Sequence, residues 1–186
     1  MKYFNFEPQK AIHSILYILS KIGEADYHKI FKILYFAEQK HLLLYGRPVT
    51  SDEYQAMKFG PVPSYIYDIF KTVERGRGPF IDAKKYQHFF TITRYGNAPY
   101  VTALMPPDLE ELSESDIEAL EASINENKNL TFSQLVEKSH DEAWEAASML
   151  IDTEMAYIEI AKAAGADTEM LKYILMNSEN ENSDLH

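Results

Sequence analysis

Apolar residues recur along most of this chain at helical spacing. Behind Pro8, which suits a first helical turn, Ile12, Ile15, Leu16 and Leu19 share one face of a helix that Gly23 ends. Asp26 then offers an N-cap for a second helix running to about Tyr45. That helix holds Ile30, Phe31, Ile33, Leu34, Tyr35, Phe36 and Ala37, apolar on nearly every side, as a buried central helix should be. Its later part, Gln39, Lys40 and His41, is expected to reach solvent.

Gly46, Arg47 and Pro48 break the pattern, and Thr50-Ser51-Asp52-Glu53 has capping-box spacing, which predicts a short helix over Tyr54–Phe59 ended by Gly60. Beyond Pro61 and Pro63, Ile66, Ile69, Phe70 and Val73 form the buried stripe of another helix. Arg75-Gly76-Arg77-Gly78-Pro79 reads as a basic loop. Alternation over Phe89–Arg94 and Tyr100–Leu104 predicts a β-hairpin with a five-residue connection, Tyr95–Pro99. Further helices are expected over Ser115–Asn125, Phe132–Lys138 (capped by Thr131 with Gln134), Asp141–Ala163 and Thr168–Met176. The fold class is therefore mainly α: one compact helical domain over residues 1–176 with a small β-hairpin. Residues 177–186 are too hydrophilic to pack and are expected to be a disordered tail.

Composition narrows the class. The 186 residues suffice for one substantial core, and no apolar run reaches the roughly 18 residues a membrane span needs. The N-terminal stretch lacks the continuous apolar segment of a signal peptide. With no cysteine there is no disulfide framework or thiolate site, and a cytoplasmic location is expected. Charge is uneven: residues 1–100 carry 14 Lys+Arg against 9 Asp+Glu, whereas residues 101–186 carry 4 against 20. Eight acids and no base lie between Asp108 and Glu126. Such a run is either a solvated helix face or a surface that steers a basic partner.

Catalytic signatures are missing. The six histidines make no H-x-x-x-H or H-x-x-E-H spacing, and no G-x-S-x-G, P-loop or G-x-G-x-x-G occurs. The sequence thus points to no enzyme, no cofactor and no metal. His140 and Trp144 lie one helical turn apart, with Ser139 and Glu142 at capping spacing. They form either a packed pair or an aromatic-polar contact point. Tyr54, Tyr65 and Tyr67 flank Gly60-Pro61, and Tyr65 and Tyr67 fall off the apolar stripe of their helix, so they are expected to be partly exposed.

Taken in order, Lys32-Ile33-Leu34-Tyr35-Phe36, Gly46-x-Pro48, Tyr54-x-Ala56, Phe59-Gly60-Pro61-Val62, Ile66-Tyr67 and His140-x-x-x-Trp144 resemble the Panacea (SocA-like) antitoxin family of bacteria and phages, over about residues 8–165. Ala143 stands where that pattern has proline, and Pro63-Ser64 where Pro-Glu is usual. The resemblance implies an antitoxin that neutralises a cognate protein toxin by direct stoichiometric binding, with a protease as second partner if it acts as an adaptor. The candidate partner-binding residues are Tyr54, Lys58, Gly60, Pro61, Tyr65, Tyr67, His140 and Trp144. Two other readings remain open. One is a helix-turn-helix-like nucleic-acid binder using Lys29, Lys32, Lys40, Arg75 and Arg77, with the hairpin as a wing. The other is a phage-encoded interaction protein with no toxin partner.

Overall fold

Two hydrophobic clusters share a single helix. The computed structural model describes residues 4–76 and 84–183, so Arg77, Gly78 and Pro79 of the expected basic loop lie outside the described residues. Helix α1 spans Pro8–Ile22 and α2 spans Tyr27–Tyr45, with the Asp26 carboxylate accepting from Lys29 N at 3.0 Å as the cap. One side of α2, through Ile30, Ile33 and Leu34, packs with α1, α3 (Ser64–Arg75) and α5 (Glu114–Asn127). Its other side, through Tyr35, Phe36 and Leu42, packs with α6 (Phe132–Ser139), α7 (Glu142–Ser148), α8 (Tyr157–Ala163) and α9 (Thr168–Ser183). Burial on both sides explains why α2 is apolar nearly all round.

The mainly helical expectation holds, but the β component is larger than one hairpin. A short α4 (Lys84–Gln87) precedes strands β4 (Phe90–Tyr95) and β5 (Ala98–Ala103), which pair antiparallel, and β1 (Ala25–Asp26) adds to β5. Tyr95 sits opposite Ala98, so the connection is the two residues Gly96-Asn97 and not five. A second antiparallel sheet has the order β3-β2-β6, from Tyr54–Met57 (β2), Gly60–Pro63 (β3) and Glu154–Met155 (β6).

That second sheet overturns two expected helices. Tyr54–Phe59 is a strand and turn: Tyr54 and Ala56 point inward while Met57 is exposed, the alternation of a half-buried strand. Thr50 forms no capping box, because its N–H and hydroxyl both bind the buried Glu38 carboxylate. Asp52 instead accepts from Tyr65 N and Ile66 N, both at 2.9 Å, and so caps α3 from across the hairpin where Pro63 has no side chain to do so. The Asp141–Ala163 segment likewise divides into α7, β6 and α8. Nothing in its composition stops a helix; Ala56 N bonds the Thr153 carbonyl at 2.8 Å and draws this stretch into strand pairing. Two smaller differences follow. His41 is fully buried, held by the Arg47 carbonyl at 2.6 Å and Ser115 at 3.0 Å, instead of reaching solvent. The last helix continues past Met176 to Ser183.

Candidate functional site

Three separated sequence motifs meet at the β2–β3 turn. Lys32, one turn into α2, is 1% exposed and donates to the Pro61 carbonyl at 2.7 Å. Gly60 lies directly above it with φ +97°; a Cβ there would stand 2.7 Å from Lys32 Cε and would overlap Ser139 Oγ. On the other side, Trp144 Nε1 donates to the Met57 carbonyl at 2.9 Å, and the rings of Trp144 and His140 stack at 3.6 Å with a 3° interplanar angle. Tyr35, one turn beyond Lys32, donates to Asp141 Oδ2 at 2.8 Å, while Asp141 Oδ1 accepts from Trp144 N and caps α7. The central helix thus fixes the turn through Lys32 and the His140–Trp144 segment through Tyr35.

Asp141, and not Ser139, is the cap of α7, and His140 closes α6. His140 Nε2 is buried and has no hydrogen-bond partner. Burial, reinforced by the Lys32 charge, holds the His140 ring below the ordinary histidine range. His28 behaves alike: burial and Lys32 push it down to about 4, and as the neutral ring its Nε2–H donates to the Phe59 carbonyl at 3.2 Å. Burial brings Lys32 itself down to about 7. Among the described residues no carboxylate forms an ion pair with it.

In front of Lys32 opens a groove of about 680 Å³, lined by Tyr27, Phe31, Phe59, Tyr67, Tyr100 and Phe132 among others. Of the candidates chosen from sequence, Lys58, Gly60 and Tyr67 line this groove, and Pro61 supplies the carbonyl that holds Lys32. Tyr54 does not serve as a surface contact: it is 1% exposed and packs on Tyr35 in the second cluster. Tyr65 is half-buried, stacked on Phe6 at 4.6 Å, away from the groove. Tyr67 packs edge-on against Tyr27 and Phe31 under the Lys71 ammonium. Sequence reasoning passed over Met57, Phe59 and Phe132, whose exposure follows from a turn and from packing that it had not placed.

Register extends this surface. Because β6 runs antiparallel to β2, with Gln55 opposite Glu154, the residues before Thr153 lie at the same end of the sheet as the Met57–Phe59 turn. Those residues are Met149, Leu150 and Ile151, at 84%, 59% and full exposure. With Met57, Phe59 and Phe132, which are also exposed, they crowd apolar side chains onto one end of the molecule. This loop lies in a stretch, Asp141 to Glu159, that carries six acids and no base, of which Asp141 caps α7 and Glu159 pairs with Lys162.

The longer acidic run is mostly engaged within the fold. Asp116 is buried against Lys10 at 3.2 Å and His41 at 3.3 Å, Glu118 accepts from Tyr45, Glu121 from Tyr17 and Lys21, and Glu126 from Lys40. Asp108 caps the following turn through Glu110 N. The basic residues proposed for nucleic acid are also committed in part. Lys29 donates to the Lys128 and Leu130 carbonyls, Lys32 is buried and Lys40 is paired.

No group of three or more potential metal ligands gathers among the described residues, and no helix is long and apolar enough to cross a membrane. The family model described as "Antitoxin SocA-like, Panacea domain" matches residues 30–145, a span holding all three converging motifs. No curated protein and no solved structure matches the chain.

Proposed function

The chain belongs to the SocA-like antitoxin family with the Panacea domain, and on that premise we propose that it neutralises a protein toxin by binding it directly, without turnover. The observation that carries this reading is the apolar end of the molecule. Met57, Phe59, Phe132 and Met149–Ile151 expose large side chains together, and scattered exposure on a monomer seldom has that form. The acidic stretch on either side of the Met149–Ile151 loop suits a basic toxin, steering encounter while the apolar side chains supply affinity. The scaffold beneath is fixed by hydrogen bonds from Lys32, Tyr35 and Trp144, the first of them buried, which keeps the ordering cost of binding low. A nucleic-acid role has less support: α2 is buried on both sides and cannot lie in a groove.

The test is co-expression with the product of the neighbouring gene. Growth arrest by that product alone, its relief by this chain, and a salt-sensitive one-to-one complex on purification are the expected results. Arrest that persists although the two proteins form a complex, or relief without any complex, overturns the reading.

A further inference from the structure

We propose that the groove over Lys32 is a binding site for a carboxylate carried on a flat apolar body, with the Lys32 ammonium as its charge partner. Three observations meet there. The lysine side chain is buried and lines the groove, yet its nitrogen has three donors and a single acceptor, the Pro61 carbonyl. Among the described residues it has no ion-pair partner, so its charge is uncompensated in a setting where that is costly. Tyr27, Phe31, Phe59, Tyr67, Tyr100 and Phe132 supply aromatic walls, and a volume near 680 Å³ falls within the usual range for a small-ligand site.

The chemistry selects an anion of modest size. A carboxylate takes up the two spare ammonium donors in charge-assisted bonds. Its apolar body lies against Phe31, Phe59 and Tyr67. The groups facing Lys32 are His28 on its own helix and His140 from α6, with Asp26 and Lys58 elsewhere on the groove lining. Both histidines are held neutral at neutral pH, so neither already compensates an anion. A free aromatic acid and the C-terminal carboxylate of a protein segment share this chemistry. The inference does not depend on the toxin reading, because the ligand is tested without a partner protein.

The experiment is calorimetric titration of the intact protein at pH 8 with 4-phenylbutyrate, with the neutral 4-phenylbutanamide, and with an apolar tetrapeptide ending in phenylalanine as free acid and as amide. Each acid is expected to bind about tenfold or more tightly than its amide. In buffers of different ionisation enthalpy, binding of the acid should take up close to one proton, because an ammonium at about 7 is mostly neutral at pH 8. Lys32→Met should remove both the preference and the proton uptake. Preference confined to the small acids assigns a free ligand, and preference confined to the peptide assigns a chain terminus. Equal affinity for acid and amide, or no binding of either, overturns the proposal even if Lys32→Met fails to fold, and an acid preference that survives in a folded Lys32→Met protein overturns it too.

Discussion

Gly60→Ala separates two costs that the β2–β3 turn combines. The residue sits at φ +97°, where a side chain meets its own carbonyl, at about 1–2 kcal/mol for a left-handed backbone. The added methyl must also displace Ser139 Oγ and stand 2.7 Å from Lys32 Cε, inside contact distance. Overpacking of this kind costs about 1–3 kcal/mol. The sum is about 2–5 kcal/mol, which for a chain of this size lowers Tm by about 4–20 °C. Gly96→Ala is the matched control: its φ is +63° and nothing lies within 4 Å of the new methyl, so only the backbone share applies. Adding Ser139→Ala to Gly60→Ala removes one clashing atom and should return part of the packing share while leaving the backbone share. Urea unfolding with an unchanged m-value is the assay. If Gly60→Ala costs within about 0.5 kcal/mol of Gly96→Ala, the close packing of Lys32, Gly60 and Ser139 is wrong.

Other perturbations probe the supports and the surface. Burial raises both Glu38 and Asp52 to about 7, against about 4 in an unfolded chain. A raised carboxylate contributes stability that is complete below about pH 4 and is lost as pH rises through about 7. The urea-derived stability of the wild-type protein minus that of Glu38→Gln should therefore fall between those pH values; a flat difference refutes it. Trp144→Phe loses the bond to the Met57 carbonyl and should cost about 0.5–1.5 kcal/mol, with faster amide exchange in β2. Unchanged exchange there would show that the indole does not hold the turn. Leu150→Asp with Ile151→Asp should alter stability by no more than about 0.5 kcal/mol, since both side chains are exposed. The same pair should abolish toxin neutralisation, and full relief of growth arrest by the variant would move the binding surface elsewhere.

The candidate site was legible in pieces. Lys32, Gly60-Pro61 and His140-x-x-x-Trp144 stood out as motifs, but their contact did not, because residues 32, 61 and 144 are joined through tertiary bonds with no local signature. Tyr54 was misplaced for the same reason. A tyrosine beside a Gly-Pro turn suits a surface equally well until β2 pairs with β6 and turns it inward. Helical periodicity also carried too far. Over Asp141–Ala163 there is neither proline nor glycine to break it, and only strand pairing divides the segment.

What the sequence alone determined is what short-range physics encodes. It sets the stripe spacing of α1 and α3, the Asp26 and Thr131 caps, and a central helix too apolar to sit anywhere but inside. The tertiary structure decided which polar groups became buried and which apolar ones stayed out. Glu38, Lys32 and Asp52 are charged types that local pattern assigns to solvent, yet backbone donors and acceptors from distant segments hold them inside. Met149–Ile151 is the converse, an apolar run left exposed because strand pairing on one side and α7 on the other fix the loop between them away from either core.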